Sequence, residues 1–386
     1  MSHPPSSPVP TLTDGVVTLR AHSTDDVDAI LEQCTDPEML AWTTVPHGYT
    51  RDDASDFVRG IVKDWAAEDG NRGWAIDFVD DGQPRFGGSI DLRRGESPST
   101  ASIGFGLHPA ARGRGLMARA VRLVAAHAFE HGLWGTPVRQ IHWRAIAGNW
   151  GSRRVAWATG FTFRGTAPET HVDPFDRGGP GLDCWHASLA AGDSLLPRAP
   201  WFEAPPLVGN GIQLRPWREE DRDALEPRHD PAHWMPSGSV LHPDTFGAWL
   251  LGRRTFMADG QSIEWCVADA STDRALGTVT VFARGVPMTG GVAELGYQLN
   301  PSARGQGLMK EAARLVVEFA LRARDDGGLG LRRLVAETAA DNLASNRVLE
   351  SVGFAPFGRE HAVDALPDGT YADALHWELL PGRAAG

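Results

Sequence analysis

The chain has 386 residues, beyond the size at which one hydrophobic core keeps growing, so two domains are expected. Apolar residues are 42% and charged residues 22%, ordinary for a globular protein. The formal net charge of −12 argues against sequence-independent nucleic-acid binding, which needs clustered Lys and Arg, and no apolar run approaches the ~18 residues of a membrane span. An acidic chain suits an amine-bearing or cationic partner, although solubility alone accounts for the acidity of many enzymes. The three cysteines, Cys34, Cys184 and Cys266, lack metal-ligand spacing. They read as buried thiols in a reducing compartment, with no metal expected. Residues 1–11 are rich in Pro and Ser, without a basic segment followed by an apolar one, so a disordered tail is expected rather than a secretory signal.

Residues 16–20, Val-Val-Thr-Leu-Arg, alternate as a first strand. Asp25, Asp26 and Asp28 then suit a helix start, where acids meet the positive end of the helix dipole. Residues 212–215 with Glu219, Glu220 and Asp221 repeat this opening 195 positions later. A second amphipathic helix is expected over 52–67, carrying Phe57, Val58, Ile61, Val62 and Trp65. Its counterpart is 244–257, with Phe246, Trp249, Leu250 and Phe256. A hairpin follows in each half. The first turns at Asp80-Asp81-Gly82-Gln83, the second across Ser-Thr-Asp at 271–273.

Next come 101–117, Ala-Ser-Ile-Gly-Phe-Gly-Leu-His-Pro-Ala-Ala-Arg-Gly-Arg-Gly-Leu-Met, and 293–309, Ala-Glu-Leu-Gly-Tyr-Gln-Leu-Asn-Pro-Ser-Ala-Arg-Gly-Gln-Gly-Leu-Met. Each reads as a strand, a turn at proline, a glycine-spaced loop and a helix start. Met117, Ala120, Val121, Val124 and Ala128 recur at helical spacing in one copy. Met309, Ala312, Ala313, Val316, Phe319 and Ala320 do so in the other. Backbone N–H groups of such a loop at a helix N-terminus suit an anion such as a pyrophosphate. Strands at 138–145 and 331–338 follow, then Asn149-X-X-Ser152 and Asn342-X-X-Ser345, then helices ending at Gly160-Phe161 and Gly353-Phe354. Each half closes with a strand, near 183–189 and 373–380. The stretch 190–208, with Pro197, Pro200, Pro205 and Pro206 and no periodic pattern, is the expected linker between domains at 12–189 and 209–381. From Arg112 to Phe161 the copies keep an offset of 192–193 residues. This is a duplicated domain rather than a solenoid unit. Each half is expected as β, two helices, β-hairpin, β, helix, β, helix, β: an α/β (α+β) mixed sheet with helices on its faces.

In these motifs each half resembles a GNAT N-acetyltransferase, and in particular the RimJ/RimL-like branch. The resemblance covers about 12–189 and 207–380 and implies two tandem GNAT acyl-CoA N-acyltransferase folds. It implies that the loops Arg112-Gly113-Arg114-Gly115-Leu116-Met117 and Arg304-Gly305-Gln306-Gly307-Leu308-Met309 bind the pyrophosphate of acetyl-CoA. Both copies carry Met where the family usually has Gly or Ala. It also implies that Leu107 and Leu299 pair with pantetheine through their backbone, and that Asn149 and Ser152, like Asn342 and Ser345, line the same ligand. Asn and Ser before an apolar run are equally good helix N-caps, and a cap can also present its side chain to a ligand. Arg114 stands where copy two has Gln306, either near the phosphates or as a solvated loop residue.

The implied chemistry is direct acyl transfer. An amine arrives mostly protonated, so a base or water relay must remove a proton, and an acid should protonate the leaving thiolate. Glu294 is the candidate base, with a salt-bridged strand residue as its plain alternative, and Ser345 is the candidate acid. Copy one has Ser102 at the Glu294 position. His108 and His142 are either substitutes or structural histidines. The amine pocket of the family draws on regions that here hold Trp42, His47, Tyr49, Trp65 and Asp173, and Trp234, Trp249, His361, Asp364, Asp368 and Tyr371. Many of the fourteen tryptophans are expected in the core. The resulting expectation is a cytoplasmic N-acetyltransferase, monomer or homodimer, with the C-terminal domain as catalyst. It acetylates a primary amine, on a small molecule or a protein N-terminus, without nucleic-acid or membrane partners. The alternative is a non-catalytic acyl-CoA sensor, or one pseudoenzyme domain supporting the other.

Overall fold

A computed structural model describes residues 9–173, 178–235, 242–283 and 291–382; positions 1–8 of the expected tail lie outside these. The chain forms two compact units, one ending at Arg198 and one beginning at Ala199.

The N-terminal unit runs β1 (Leu12–Thr13), β2 (Val17–Arg20), α1 (Val27–Thr35), α2 (Pro37–Trp42), α3 (Arg51–Ala66), β3 (Arg72–Asp80), β4 (Gln83–Arg94), β5 (Thr100–Leu107), α4 (Leu116–His131), β6 (Gln140–Ile146), α5 (Trp150–Ala158), β7 (Thr162–His171) and β8 (Leu182–Ala190). The C-terminal unit runs β9 (Leu207–Val208), β10 (Ile212–Arg215), α6 (Phe246–Ala258), β11 (Ser262–Asp269), β12 (Ala275–Phe282), β13 (Val292–Leu299), α7 (Leu308–Leu321), β14 (Arg333–Ala339), α8 (Leu343–Ser351), β15 (Ala355–Ala365) and β16 (Tyr371–Leu379). The sheets have the orders β1-β2-β3-β4-β5-β6-β8-β7 and β15-β16-β14-β13-β12-β11-β10-β9. Their parallel pairs are β5 with β6 and β13 with β14. The fold is the expected mixed α/β sheet, written twice.

The repeated sequence builds the repeated parts for visible reasons. Asp81 and Gly82 both take positive φ at the β3–β4 turn, the backbone a two-residue hairpin requires. The apolar stripes expected on α4 and α7 are buried, and their alanines let the helices approach the sheet closely. Trp74 and Trp265 fill equivalent core positions at 0% exposure. Each satisfies its indole N–H on a carbonyl, Pro10 at 3.0 Å and Pro205 at 2.8 Å, as a buried donor must. Arg20 and Arg215 make matching clamps. Arg20 bonds Asp26 and Asp77, and Arg215 bonds Asp221 and Asp273, all at 2.6–2.8 Å.

Three expectations need correction. After the first strand of the C-terminal unit the described residues hold no counterpart of α1 but short 3-10 segments, the first Glu219–Ala224; Pro227 and Pro231 follow soon after it and cannot continue a helix. Each half ends in two strands rather than one. The extra strands β7 and β15 are largely exposed, with register breaks at Phe163/Gly165, Ala167/His171, Pro356/Gly358 and Glu360/Asp364, so they carry no clean alternation. On α3, Ala54 and Val58 are buried but Phe57 and Val62 are 39% and 57% exposed, so its core stripe is narrower than its apolar content suggested.

Candidate functional site

In both units the two parallel strands touch only at their starts. Pairing runs from Thr100/Gln140 to Ser102/His142 in one, and from Val292/Arg333 to Glu294/Val335 in the other. Beyond these points β5 and β13 part from their neighbours. One edge of each, from Ile103 to Leu107 and from Leu295 to Leu299, thus carries backbone groups with no strand partner on that side. Both V-shaped openings lead to the glycine loop. Gly113, Gly115, Gly305 and Gly307 all lie at φ between 71° and 76°, and a Cβ added at any of them would meet nothing within 4 Å. Gly115 and Gly307 cap α4 and α7 without a side-chain cap. The first amides of those helices are therefore open to an anion. An open cradle of left-handed glycines at an uncapped helix is what a pyrophosphate needs.

The side chains around the cradle divide by role. Arg112 turns back to Asp36 at 2.5 Å and Glu38 at 2.8 Å. Arg304 makes a two-point pair with Asp230 at 2.6 Å and reaches the Leu299 carbonyl at 3.3 Å. Both arginines brace the end of the splayed strand against the segment after the first strand, so the loop offers amides rather than guanidinium groups. Arg114 bonds Asp80 at 2.9 Å and covers the Phe78 ring, and Gln306 bonds the Ser302 carbonyl at 3.0 Å. His108 meets Glu32 at 3.1 Å and caps Ala110, which fits a structural histidine.

Asn149 and Asn342 are N-caps of α5 and α8, each accepting from the amide of its serine, Ser152 at 3.0 Å and Ser345 at 3.1 Å. The serine hydroxyls differ. Ser152 Oγ accepts the indole N–H of Trp143 at 3.0 Å. An indole can only donate, so the Ser152 proton remains available to another acceptor. Ser345 Oγ instead lies 2.9 Å from the Tyr297 hydroxyl, which also reaches the Ser345 carbonyl at 3.0 Å. Burial pushes the Tyr297 phenol up, so it stays protonated. Phe105 and Trp143 occupy the places of Tyr297 and Ala336.

Glu294 sits at the apex of its opening, registered with Phe282 on one side and Val335 on the other. It shares its face with Gly296 and Gln298, opposite the buried Ala293, Leu295 and Leu299. Gln298 accepts from Arg228 at 2.6 Å. Of the aromatic and acidic side chains expected to form amine pockets, several are occupied elsewhere. Trp65 donates to the Gly73 carbonyl at 2.8 Å, Tyr49 packs on the α1–α3 core, and Trp249 stacks on Phe246. His361 pairs with Asp373 at 3.0 Å on the surface. Trp42 stands over Gly148, and Trp234 donates to Asp341, beside the Asn342 cap, at 2.9 Å.

The family model described as an acetyltransferase (GNAT) domain matches residues 17–162 and again 212–355. The chain belongs to the GNAT acetyltransferase family. A curated relative, Probable N-acetyltransferase YjcK of Bacillus subtilis (strain 168), is 44% identical over 87 residues, 22% of this chain and 44% of that protein. The chain thus matches less than half of that relative's length. Among solved structures it is similar to the Microcin C7 self immunity acetyltransferase MccE in complex with acetyl-CoA and AMP, at 16% identity and TM-score 0.40 over 46% of this chain and 93% of that one. It is also similar to the ribosomal-protein-S5-alanine acetyltransferase from Vibrio fischeri, at 20% identity and TM-score 0.40 over 47% and 100%.

In this GNAT chain the sequence reading missed three groups near the openings. Tyr297 is one, and only the period-2 pattern of β13 hinted that it points to the α7 side. The others are two carboxylates, Asp91 and Glu264. Burial raises both, opposed by Arg93 for Asp91 and by Arg253 for Glu264. Glu264 is sealed, with its side chain 3% exposed, bonded to Thr278 Oγ1 at 2.9 Å and facing Arg253 at 3.3 Å.

Proposed function

We propose that this is a tandem acetyl-CoA-dependent N-acetyltransferase with domains at 12–189 and 209–381. Each loop, Arg112–Met117 and Arg304–Met309, takes one acetyl-CoA pyrophosphate on its backbone amides. The observation that carries this reading is the same open strand, left-handed glycine loop and uncapped helix, present twice. Leu107 and Leu299 pair with the pantetheine arm through their backbone, and the amides of Asn149 and Asn342 turn their free ends to it. The acceptor is a primary amine, on a small molecule or a protein N-terminus, and the excess of acidic residues favours its approach. The three free, buried cysteines suit a cytoplasmic setting.

In the C-terminal domain Glu294 takes a proton from the substrate ammonium, directly or through water. The neutral amine attacks the thioester carbonyl, the C–S bond breaks, and the Ser345 hydroxyl, backed by Tyr297, protonates the thiolate while taking up the second proton that the nitrogen loses. The test is thiol release from acetyl-CoA across an amine panel, comparing the wild-type chain with Glu294→Gln. With the N-terminal loop closed in both by Gly113→Val and Gly115→Val, turnover should fall by about 100- to 1,000-fold, within the usual contribution of a positioned base, while acetyl-CoA affinity holds. Thiol release from no amine in the panel would sink the transferase reading. Unchanged turnover in the variant would remove Glu294 from its role.

A further inference from the structure

The N-terminal unit has Ser102 where the other has Glu294, yet its opening does not lack a carboxylate. We propose that Asp91, on the neighbouring strand β4, is the proton-accepting catalytic residue of the N-terminal domain, held in place by Arg93. The proposal rests on the transferase reading above and extends it to a second active site.

Geometry carries the argument. Asp91 is registered with Gly104 on β5 and Gly73 on β3. Directly opposed residues share a face of the sheet, and neither glycine offers a side chain to cover it. A Cβ built on Gly104 would fall 2.7 Å from Asp91 Oδ1 and 2.6 Å from Arg93 Nη2, so the carboxylate lies over the β5 backbone itself. Gly104 is two residues beyond Ser102, where β5 leaves β6. It therefore stands inside the opening. A ligand anchored at 113–117 and lying along the free edge of β5 runs back from Leu107 past Gly104, about 10 Å at ~3.4 Å per residue. That ends the reactive arm beside Asp91 rather than beside Ser102.

Accessibility separates Asp91 from its nearest analogue. The same cross-strand row in the C-terminal unit is Glu264, Thr280 and Gly296. There the carboxylate has moved one strand outward and is closed over, with 3% of its side chain exposed. Asp91 keeps 26% exposed, enough for a substrate nitrogen or a water to reach it. Arg93 Nε donates to Asp91 Oδ2 at 2.7 Å, which orients the carboxylate and opposes the rise that burial gives its pKa. Asp64 on α3 is the other charge acting on Asp91, and it works against ionisation. Ile61 and Trp65 of α3 pack against Gly73 at the far end of this row.

The step balances without a further reactant. The substrate ammonium gives one proton to Asp91. Its nitrogen bonds to the acetyl carbonyl carbon as the C–S bond breaks. The second nitrogen proton is lost as the thiolate is protonated through Ser152, whose hydroxyl proton Trp143 leaves available. The products are the N-acetyl amine and CoA thiol, and Asp91 returns its proton to solvent.

The test uses the full chain carrying Gly305→Val and Gly307→Val, which place β-branched residues at positive φ and close the C-terminal loop. Remaining thiol release belongs to the N-terminal domain. Adding Asp91→Asn should lower it at least 100-fold with acetyl-CoA affinity by calorimetry within threefold, and Asp91→Glu should recover a tenth or more. If Asp91→Asn does not fold, Arg93→Gln reads the same proposal, because losing the guanidinium raises the Asp91 pKa. The acid limb of kcat/KM then moves to higher pH. A loop-closed protein with no turnover, turnover insensitive to Asp91→Asn, or an unmoved acid limb overturns the proposal and leaves Glu294 untouched. A wild-type chain that never releases thiol overturns the transferase reading, and this proposal with it.

Discussion

The two halves keep one backbone frame around the glycine loop and change the polar side chains beside it. Both have the opening after the third parallel-registered residue, the left-handed glycines and the uncapped helix. Around that frame, paired substitutions preserve contacts by different chemistry. Ser152 is bonded by Trp143 and Ser345 by Tyr297; the aromatic partner has moved from β6 to β13, and Ala336 fills the vacated place. His22 meets Ser89 Oγ at 3.0 Å, and Trp217 meets Thr278 Oγ1 at 3.4 Å in the equivalent position. The carboxylates migrate in the same way, with Asp91 on β4 in one half and Glu264 and Glu294 on β11 and β13 in the other. Under the proposed function this contrast has a reason: phosphate and pantetheine would be read by backbone amides, which a duplicated sheet keeps, while a proton acceptor is needed only somewhere on the right face.

The sharpest way to break this comparison is the base. Glu294→Gln should cost about 100- to 1,000-fold in total turnover on amines used by the C-terminal domain, whereas Ser102→Ala should change turnover less than threefold. Equal effects would mean the two apices do the same work.

Acid stability comes next. Burial depresses the His22 pKa to about 4 from 6.5, so the folded N-terminal domain holds it neutral. The unfolded chain binds the proton more readily, and stability present above pH 6.5 is lost as pH falls toward 4. The loss is at most about 3 kcal/mol at 1.36 kcal/mol per unit. Trp217 does not titrate, so between pH 6.5 and 4.5 an N-terminal melting transition should fall with a slope that His22→Phe flattens. No flattening would remove His22 as the source.

Smaller again are the loops. Gly115→Val and Gly307→Val each put a branched residue at φ above 70°, a strain of about 1–3 kcal/mol. Each should weaken one of two CoA equivalents by tenfold or more in calorimetry and leave the other unchanged. Loss of both sites from one substitution would contradict two independent cradles.

The smallest effect should be Tyr297→Phe. It removes the hydroxyl that meets both the Ser345 Oγ and the Ser345 carbonyl; the contact to Oγ, worth about 1 kcal/mol, is the one that bears on the reaction, so C-terminal turnover should fall roughly fivefold without touching CoA affinity. A drop as large as that of Glu294→Gln would make the phenol itself the acid.

Local pattern made much of the fold legible. The hairpin turn at Asp81-Gly82, the stripes of α4 and α7, and the Asn-X-X-Ser caps are each decided within a few residues, and each appears twice. Strands β7 and β15 were invisible because bulges and exposure erase the period-2 signal on which strand recognition depends. The roles of Arg112 and Arg304 also read differently in three dimensions. Their positions suit a phosphate loop, but Asp36 and Asp230, some 75 positions earlier in the chain, take their side chains.

By itself the sequence determined a duplicated GNAT domain, the two glycine loops and the contrast between Glu294 and Ser102, because repetition and short-range spacing are properties of the chain. Only the tertiary structure decided which side chains meet across strands. It set Asp91 over Gly104, sealed Glu264, and gave each serine its partner. Register across a sheet joins residues distant in sequence, and whether a carboxylate is reachable or sealed depends on what the neighbouring strand and helix place above it.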